Sequence, residues 1–176
     1  MTLPWAVYLF DVDGTLISAS GAGRRAFERA VGDHCEAPDG RLAALRLDGM
    51  TDRLIVRETM RLLGRPFDDA LCDALLARYV EHLRTEIHGP GYAVLPGVVE
   101  SLEALRARGA LVALCTGNVV EGARLKLARG GLDAYFDWAT VRPRRAEARS
   151  SAALTTCSRS SPSPAKPHTA AAPQSK

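Results

Sequence analysis

Trp5-Ala6-Val7-Tyr8-Leu9-Phe10 runs without a charged side chain straight into Asp11-Val12-Asp13-Gly14-Thr15-Leu16. A short, unbroken apolar run of this kind reads as a fully buried strand of a parallel sheet. The carboxylates therefore emerge where the strand ends, which is where an open α/β sheet presents its ligand site. Gly14 lets the chain turn tightly, and the amides of the loop can face an anion. If that anion is a phosphate, Asp11 has the chemistry of a carboxylate nucleophile toward phosphorus. Asp13, two residues on, can give a proton to the leaving oxygen and later take one from water. Carboxylates and phosphate repel one another, so such a site calls for a cation, and Mg²⁺ suits one or two carboxylates plus phosphate oxygens. A plain Asp/Gly turn after a strand is the alternative that a lone pair of aspartates would favour. The seven-residue pattern of 10–16, behind a strand, makes the turn reading the weaker one.

The pattern recurs about a hundred residues later. Leu111-Val112-Ala113-Leu114-Cys115 reads as a second buried strand, and Thr116-Gly117-Asn118 follows at its end. If the two strands lie parallel and adjacent, the Thr116 hydroxyl and the amides after it reach the crevice of Asp11 and can bond a phosphoryl oxygen.

Between the strands the periodicity is helical. Residues 18–23 form a small, polar hinge, and a first helix is expected over 24–31, with a loop at 33–40. Leu42, Leu45 and Leu47 mark a second, short helix. Thr51 is an N-cap for a third over 53–63, ended by Gly64 ahead of Pro66. A fourth opens at Phe67 or Asp68 and carries Leu71, Leu75, Leu76, Tyr79, Val80 and Leu83 at helical spacing. Gly89-Pro90-Gly91 closes it. Four amphipathic helices between two hinges read as an inserted helical subdomain. Further helices are expected after Pro96-Gly97 and over 121–130.

The residues 10–16, followed after a helical insertion by Thr116-Gly117-Asn118, resemble the first and second motifs of the haloacid dehalogenase superfamily, in particular its phosphoglycolate-phosphatase-like branch. An acid at the position of Asp13 is typical of the phosphotransferases of that family rather than of its carbon–halogen enzymes. The resemblance implies an α/β Rossmannoid parallel-sheet core over 1–17 and 92–140, a helical cap over 18–91, and a Mg²⁺-dependent phosphomonoester hydrolase. It further implies an aspartyl-phosphate on Asp11, acid–base work by Asp13, Mg²⁺ held by Asp11 and Asp13, and phosphate bound by Thr116, Gly117 and Asn118. The family also uses a lysine or arginine against the phosphate. Lys126 is within reach of that role, but the family's third motif comes later in the chain, and a solvated helix lysine is the favoured reading. Arg53 sits where caps project a substrate-selecting loop and could meet the far end of an anionic substrate; a solvated first-turn arginine is at least as good a reading. A small phosphorylated metabolite such as phosphoglycolate is the expected substrate. The rival reading is an inactive fragment that keeps the cap as a helical binding module.

The resemblance stops near residue 137, so the core is incomplete: no later acidic motif follows. Residues 1–137 carry 16 basic and 19 acidic side chains, whereas 138–176 carry seven and one. Arg, Ser, Ala and Pro dominate 141–176, which is expected to be a disordered basic tail. Lacking interleaved aromatics, it is read as solvated rather than as a nucleic-acid binder. Its composition and onset also match an off-frame reading of a GC-rich gene, which the coding DNA would test. Cys35, Cys72, Cys115 and Cys157 are too scattered to suggest a disulfide framework or a zinc site. No signal peptide or bilayer-spanning run is recognised, so a cytoplasmic protein is the default expectation.

Overall fold

The computed structural model describes residues 6–35, 42, 45–47 and 49–138. Among them the two apolar runs form β1 (Val7–Phe10) and β4 (Leu111–Leu114), paired in parallel with Phe10 opposite Leu114. The fold is α/β. Leu102 of α4 (Val98–Ala107) and Ala123 and Leu127 of α5 (Val120–Arg129) are buried with Val12, Leu16 and Ile17, and this is the interior on the sheet side. The expectation of fully buried strands is overturned, because Val7 is 57% exposed, Leu9 63% and Leu111 55%. Each strand has a single neighbour among the described residues, and an apolar strand is covered only when strands and helices lie on every side of it.

The chain leaves and rejoins this unit at one place. β2 (Ile17–Ser18) and β3 (Ala93–Val94) pair antiparallel, and Leu95 N donates to Leu16 O at 3.0 Å. The stretch between them is helical: α1 (Ala22–Cys35), α2 (Asp52–Leu62) and α3 (Asp69–Glu86). Their facing stripes bury Phe27, Val31, Val56, Met60, Leu75 and Leu83 in a second apolar cluster. Thr51 accepts from Leu54 N and Asp68 from Leu71 N, so α2 and α3 each start on a side-chain cap worth about 1 kcal/mol.

Two local expectations change. α1 continues to Cys35 instead of ending at 31. A helical glycine at 32 costs about 1 kcal/mol, and burying both Val31 and Cys35 outweighs it. Residues 45–47 are not helical. The Leu42 carbonyl accepts from Leu45 N at 3.0 Å, a single tight turn, and from the Arg24 guanidinium at 3.1 Å, while Arg24 also takes the Leu45 carbonyl at 2.7 Å, where a helix would have continued its own ladder. No described helix is long and apolar enough to cross a membrane. The tail expected over 141–176 lies outside the described residues.

Candidate active site

The ends of β1 and β4 are level, since Cys115 N donates to Phe10 O at 2.8 Å. Asp11 and the 116–118 loop therefore leave the sheet side by side, at the carboxyl ends of parallel strands. Gly14, at φ +77°, folds the acidic loop back so that its amide reaches Ile17 O at 2.9 Å. A cleft of about 580 Å³ opens there, lined by Asp11, Asp13, Thr116, Gly117, Asn118 and Lys126 from the sheet side and by Asp52 and Tyr79 from the helical side.

One hydrogen-bonded network ties the two loops together. Lys126 Nζ donates to Asp13 Oδ2 at 2.7 Å and to Asn118 Oδ1 at 2.6 Å. Asn118 Nδ2 in turn donates to Asp13 Oδ2 at 2.9 Å and to Thr116 Oγ1 at 2.8 Å. The favoured reading of Lys126 as a solvated lysine is thereby overturned: it is 4% exposed. An ammonium is buried only when paired, and Asp13 is its partner. The sequence did carry a signal, because Gly122, Ala123, Lys126 and Leu127 form the buried stripe of α5 and the lysine sits on it. Asp11 is exposed and lines the cleft.

Arg53 is elsewhere. Its guanidinium pairs with Asp69 at 2.6 Å and Asp73 at 2.5 Å, bracing α2 against α3, and it is not among the residues that line the cleft.

Its neighbour Asp52 is in the cleft, and sequence reasoning missed it. An acid in the first turn of a helix is ordinary, so nothing in the pattern singles it out. Asp52 N donates to Gly117 O at 2.9 Å, and Asp52 Oδ2 accepts from Val119 N at 2.6 Å. The turn before α2 thus sits directly on the 116–119 loop. A Cβ at Gly117 would lie 2.7 Å from Met50 O and 2.9 Å from Thr51 Cα, so only glycine permits this approach. Desolvation pushes the Asp52 carboxyl up to about 6; Lys126 and the Val119 amide oppose the rise, and Asp13 adds to it. Tyr79, read from the sequence as one more apolar position of its helix, is the other missed residue.

For a hard cation the available donors are the Asp11 carboxylate and the Asp13 backbone carbonyl, both oxygens of the type Mg²⁺ takes while keeping several waters. Among the described residues no group of three or more His, Cys, Asp or Glu gathers to hold a metal.

A family model described as a haloacid dehalogenase-like hydrolase matches residues 5–153, past residue 137, where the resemblance of the motifs stops. The chain is 33% identical over 132 residues to a phosphoglycolate phosphatase of Rhodospirillum rubrum, covering 73% of this chain and 54% of that protein. It is 28% identical over 128 residues to the phosphoglycolate phosphatase of Agrobacterium fabrum, with 73% and 54% covered. The chain spans about half the length of the curated relatives it matches. In fold it is similar to CbbY of Rhodobacter sphaeroides, solved in complex with phosphate: the TM-score is 0.60 at 19% identity, over 75% of this chain and 60% of that one.

Proposed function

This chain belongs to the haloacid dehalogenase-like hydrolase family, and on that premise we propose that it is a phosphomonoester hydrolase working through an aspartyl-phosphate. The observation that carries the reading is the cleft itself, where Asp11 stands beside an Asp13 bonded to buried Lys126 and to Asn118 of the second loop. In the first step the Asp11 carboxylate attacks phosphorus as the ester P–O bond breaks, and Asp13 gives its proton to the departing alkoxide. In the second, water attacks the acyl-phosphate, Asp13 takes the water's proton, and phosphate leaves with the Asp11 carboxylate restored. The Lys126–Asn118 network orients the Asp13 carboxyl, and Lys126 sets a positive charge against the phosphoryl oxygens. The Thr116 hydroxyl and the amides after it are the donors for those oxygens. When bound, Mg²⁺ offsets the charge of carboxylate and phosphate, and Asp11 and the Asp13 carbonyl would hold it.

We assign residues 18–91 as the cap over this site and 1–17 with 92–140 as the core. The two separate apolar clusters and the paired crossing strands support that division. The substrate is a small phosphorylated metabolite; the relatives' names make phosphoglycolate the first candidate. An assay with Mg²⁺ on a panel of small phosphate esters tests the reading. Turnover that EDTA abolishes supports it, whereas a folded protein that turns over nothing favours an inactive helical binding module instead.

A further inference from the structure

Tyr79 and Asp52 are polar groups on the helical side of the cleft that the reaction above leaves unused. Tyr79 of α3 is 3% exposed, and its hydroxyl has no hydrogen-bond partner among the described residues. Among the described residues the buried side-chain polar atom left without a partner is Thr59 Oγ1, so the Tyr79 hydroxyl opens onto the cleft that Tyr79 lines, where a ligand can bond it.

Its position is set by two glycines on helices of opposite origin. A Cβ at Gly23 of α1 would lie 3.7 Å from the Tyr79 hydroxyl and 3.6 Å from Lys126 Nζ, so phenol and ammonium flank one spot. A Cβ at Gly122 of α5 would lie 3.4 Å from the edge of the ring, which therefore rests on α5. Phe27 meets the ring edge-on, with centroids 6.3 Å apart. The phenol is fixed in place and stays protonated, because burial, Asp52 and Asp13 all raise it well above its ordinary pKa. Asp52 is the second group. One of its oxygens is held by Val119 N, and the other accepts no hydrogen bond among the described residues. The helical side also includes the hydroxyls of Ser18 and of Thr51, the latter accepting from Leu54 N, apolar side chains such as Phe27 and Ile55, and Arg24, whose terminal nitrogens are already given to the Leu42 and Leu45 carbonyls and to Glu28.

We propose that Tyr79 and Asp52 together bind a neutral hydroxyl on the alcohol part of the phosphate ester, so that the preferred substrate is a hydroxylated alkyl phosphate rather than a carboxylate-bearing one such as phosphoglycolate. The inference rests on the phosphatase reading and, within it, sets aside phosphoglycolate, the candidate suggested by the relatives' names. A substrate hydroxyl donates to the free Asp52 oxygen and accepts from the Tyr79 phenol, which satisfies both groups at once. A carboxylate has no proton to give and brings a further anion up to Asp52, Asp13 and Asp11. Sites built to hydrogen-bond a hydroxyl discriminate strongly against analogues that lack it, because their own polar groups are then left unpaired.

The test compares kcat/KM for glycerol 3-phosphate, propyl phosphate and phosphoglycolate in the full chain with Mg²⁺, with Asp11→Asn as background. The expected order puts glycerol 3-phosphate ahead of the other two by about tenfold or more, the size of one well-made hydrogen bond. In Tyr79→Phe, which keeps the ring, the glycerol-to-propyl ratio should fall about tenfold, chiefly through KM, and Asp52→Asn should lower the same ratio. A purely structural tyrosine would depress both esters together and leave the ratio where it was, and that result overturns the proposal, as does a preference for phosphoglycolate. Failure to turn over any of the three above the Asp11→Asn background overturns the phosphatase reading itself. It is distinguishable because it spares no ester.

Discussion

The helical stretch between the hinges closes its own interior, whereas the sheet beside it does not. Leu75, Leu83, Val56 and Met60 are fully buried between α1, α2 and α3, while the apolar strands β1 and β4 leave Val7, Leu9 and Leu111 more than half exposed. The difference follows from the geometry of the elements. A helix needs one apolar stripe covered, and neighbours close in sequence can cover it; a parallel strand needs partners brought from far along the chain on both sides. The proposed active site nevertheless sits on the open side, at the strand ends. It is joined to the closed side by Asp52 on the 116–119 loop and by Tyr79 resting on α5. The closed apolar interior and the proposed active site are thus lodged in different halves and meet at a seam.

That separation can be broken most sharply at Asp13. Asp13→Asn keeps the size of the side chain in the exposed loop but removes its proton, so turnover of esters with poor leaving groups should fall roughly 10²–10⁴-fold, the usual range for general acid–base catalysis. An activated aryl phosphate, which departs without help, should lose much less. Urea denaturation should show a loss of stability as well, because the substitution leaves the buried Lys126 ammonium without its carboxylate partner, so the comparison between ester types carries the test: equal losses for both would remove the proton-donating role.

The converse substitution belongs in the closed half. Leu75→Ala should cost about 2–5 kcal/mol by denaturant titration, as large-to-small changes in a packed core do. Leu9→Ala, on the exposed strand, should stay within about 0.5 kcal/mol, as surface substitutions usually do. Comparable costs for the two would mean that β1 is covered in solution.

The seam itself has a pH signature. Asp52 titrates near 6 in the folded protein and at 3.8 as a free side chain. Between those values the native state holds a proton that the unfolded chain has released, so folding stability falls as pH rises from about 4 to about 6. A shift of about two units corresponds to on the order of 3 kcal/mol. Asp52→Asn cannot ionise, so its stability relative to the parent protein should climb across that window. Parallel pH–stability curves for the two proteins would show that Asp52 is not desolvated.

What the sequence disclosed follows the same division. The acidic loop, the Thr116-Gly117-Asn118 loop and the Thr51 cap were legible because each depends on a few adjacent residues. The exposure of β1 was not, since an apolar run announces a strand but not how many neighbours it has. Leu42, Leu45 and Leu47 suggest a helix by composition, and a distant arginine, Arg24, bonds the Leu45 carbonyl where that helix would have continued. Lys126, Asp52 and Tyr79 were hidden for a related reason. Each acts across the seam, and a side chain's partner on another element leaves no mark in its own local pattern, except where, as on α5, a lysine interrupts a buried stripe.

The central claim is that Asp11 is the group that takes the phosphoryl. The most direct measurement is mass spectrometry of the peptide containing Asp11 after acid quenching of the protein during turnover of a small phosphate ester with Mg²⁺. A phosphoryl adduct on Asp11 that forms on mixing, decays as substrate is exhausted and is absent from Asp11→Asn is the predicted result. Turnover that proceeds in Asp11→Asn, or an adduct on another residue, would contradict it.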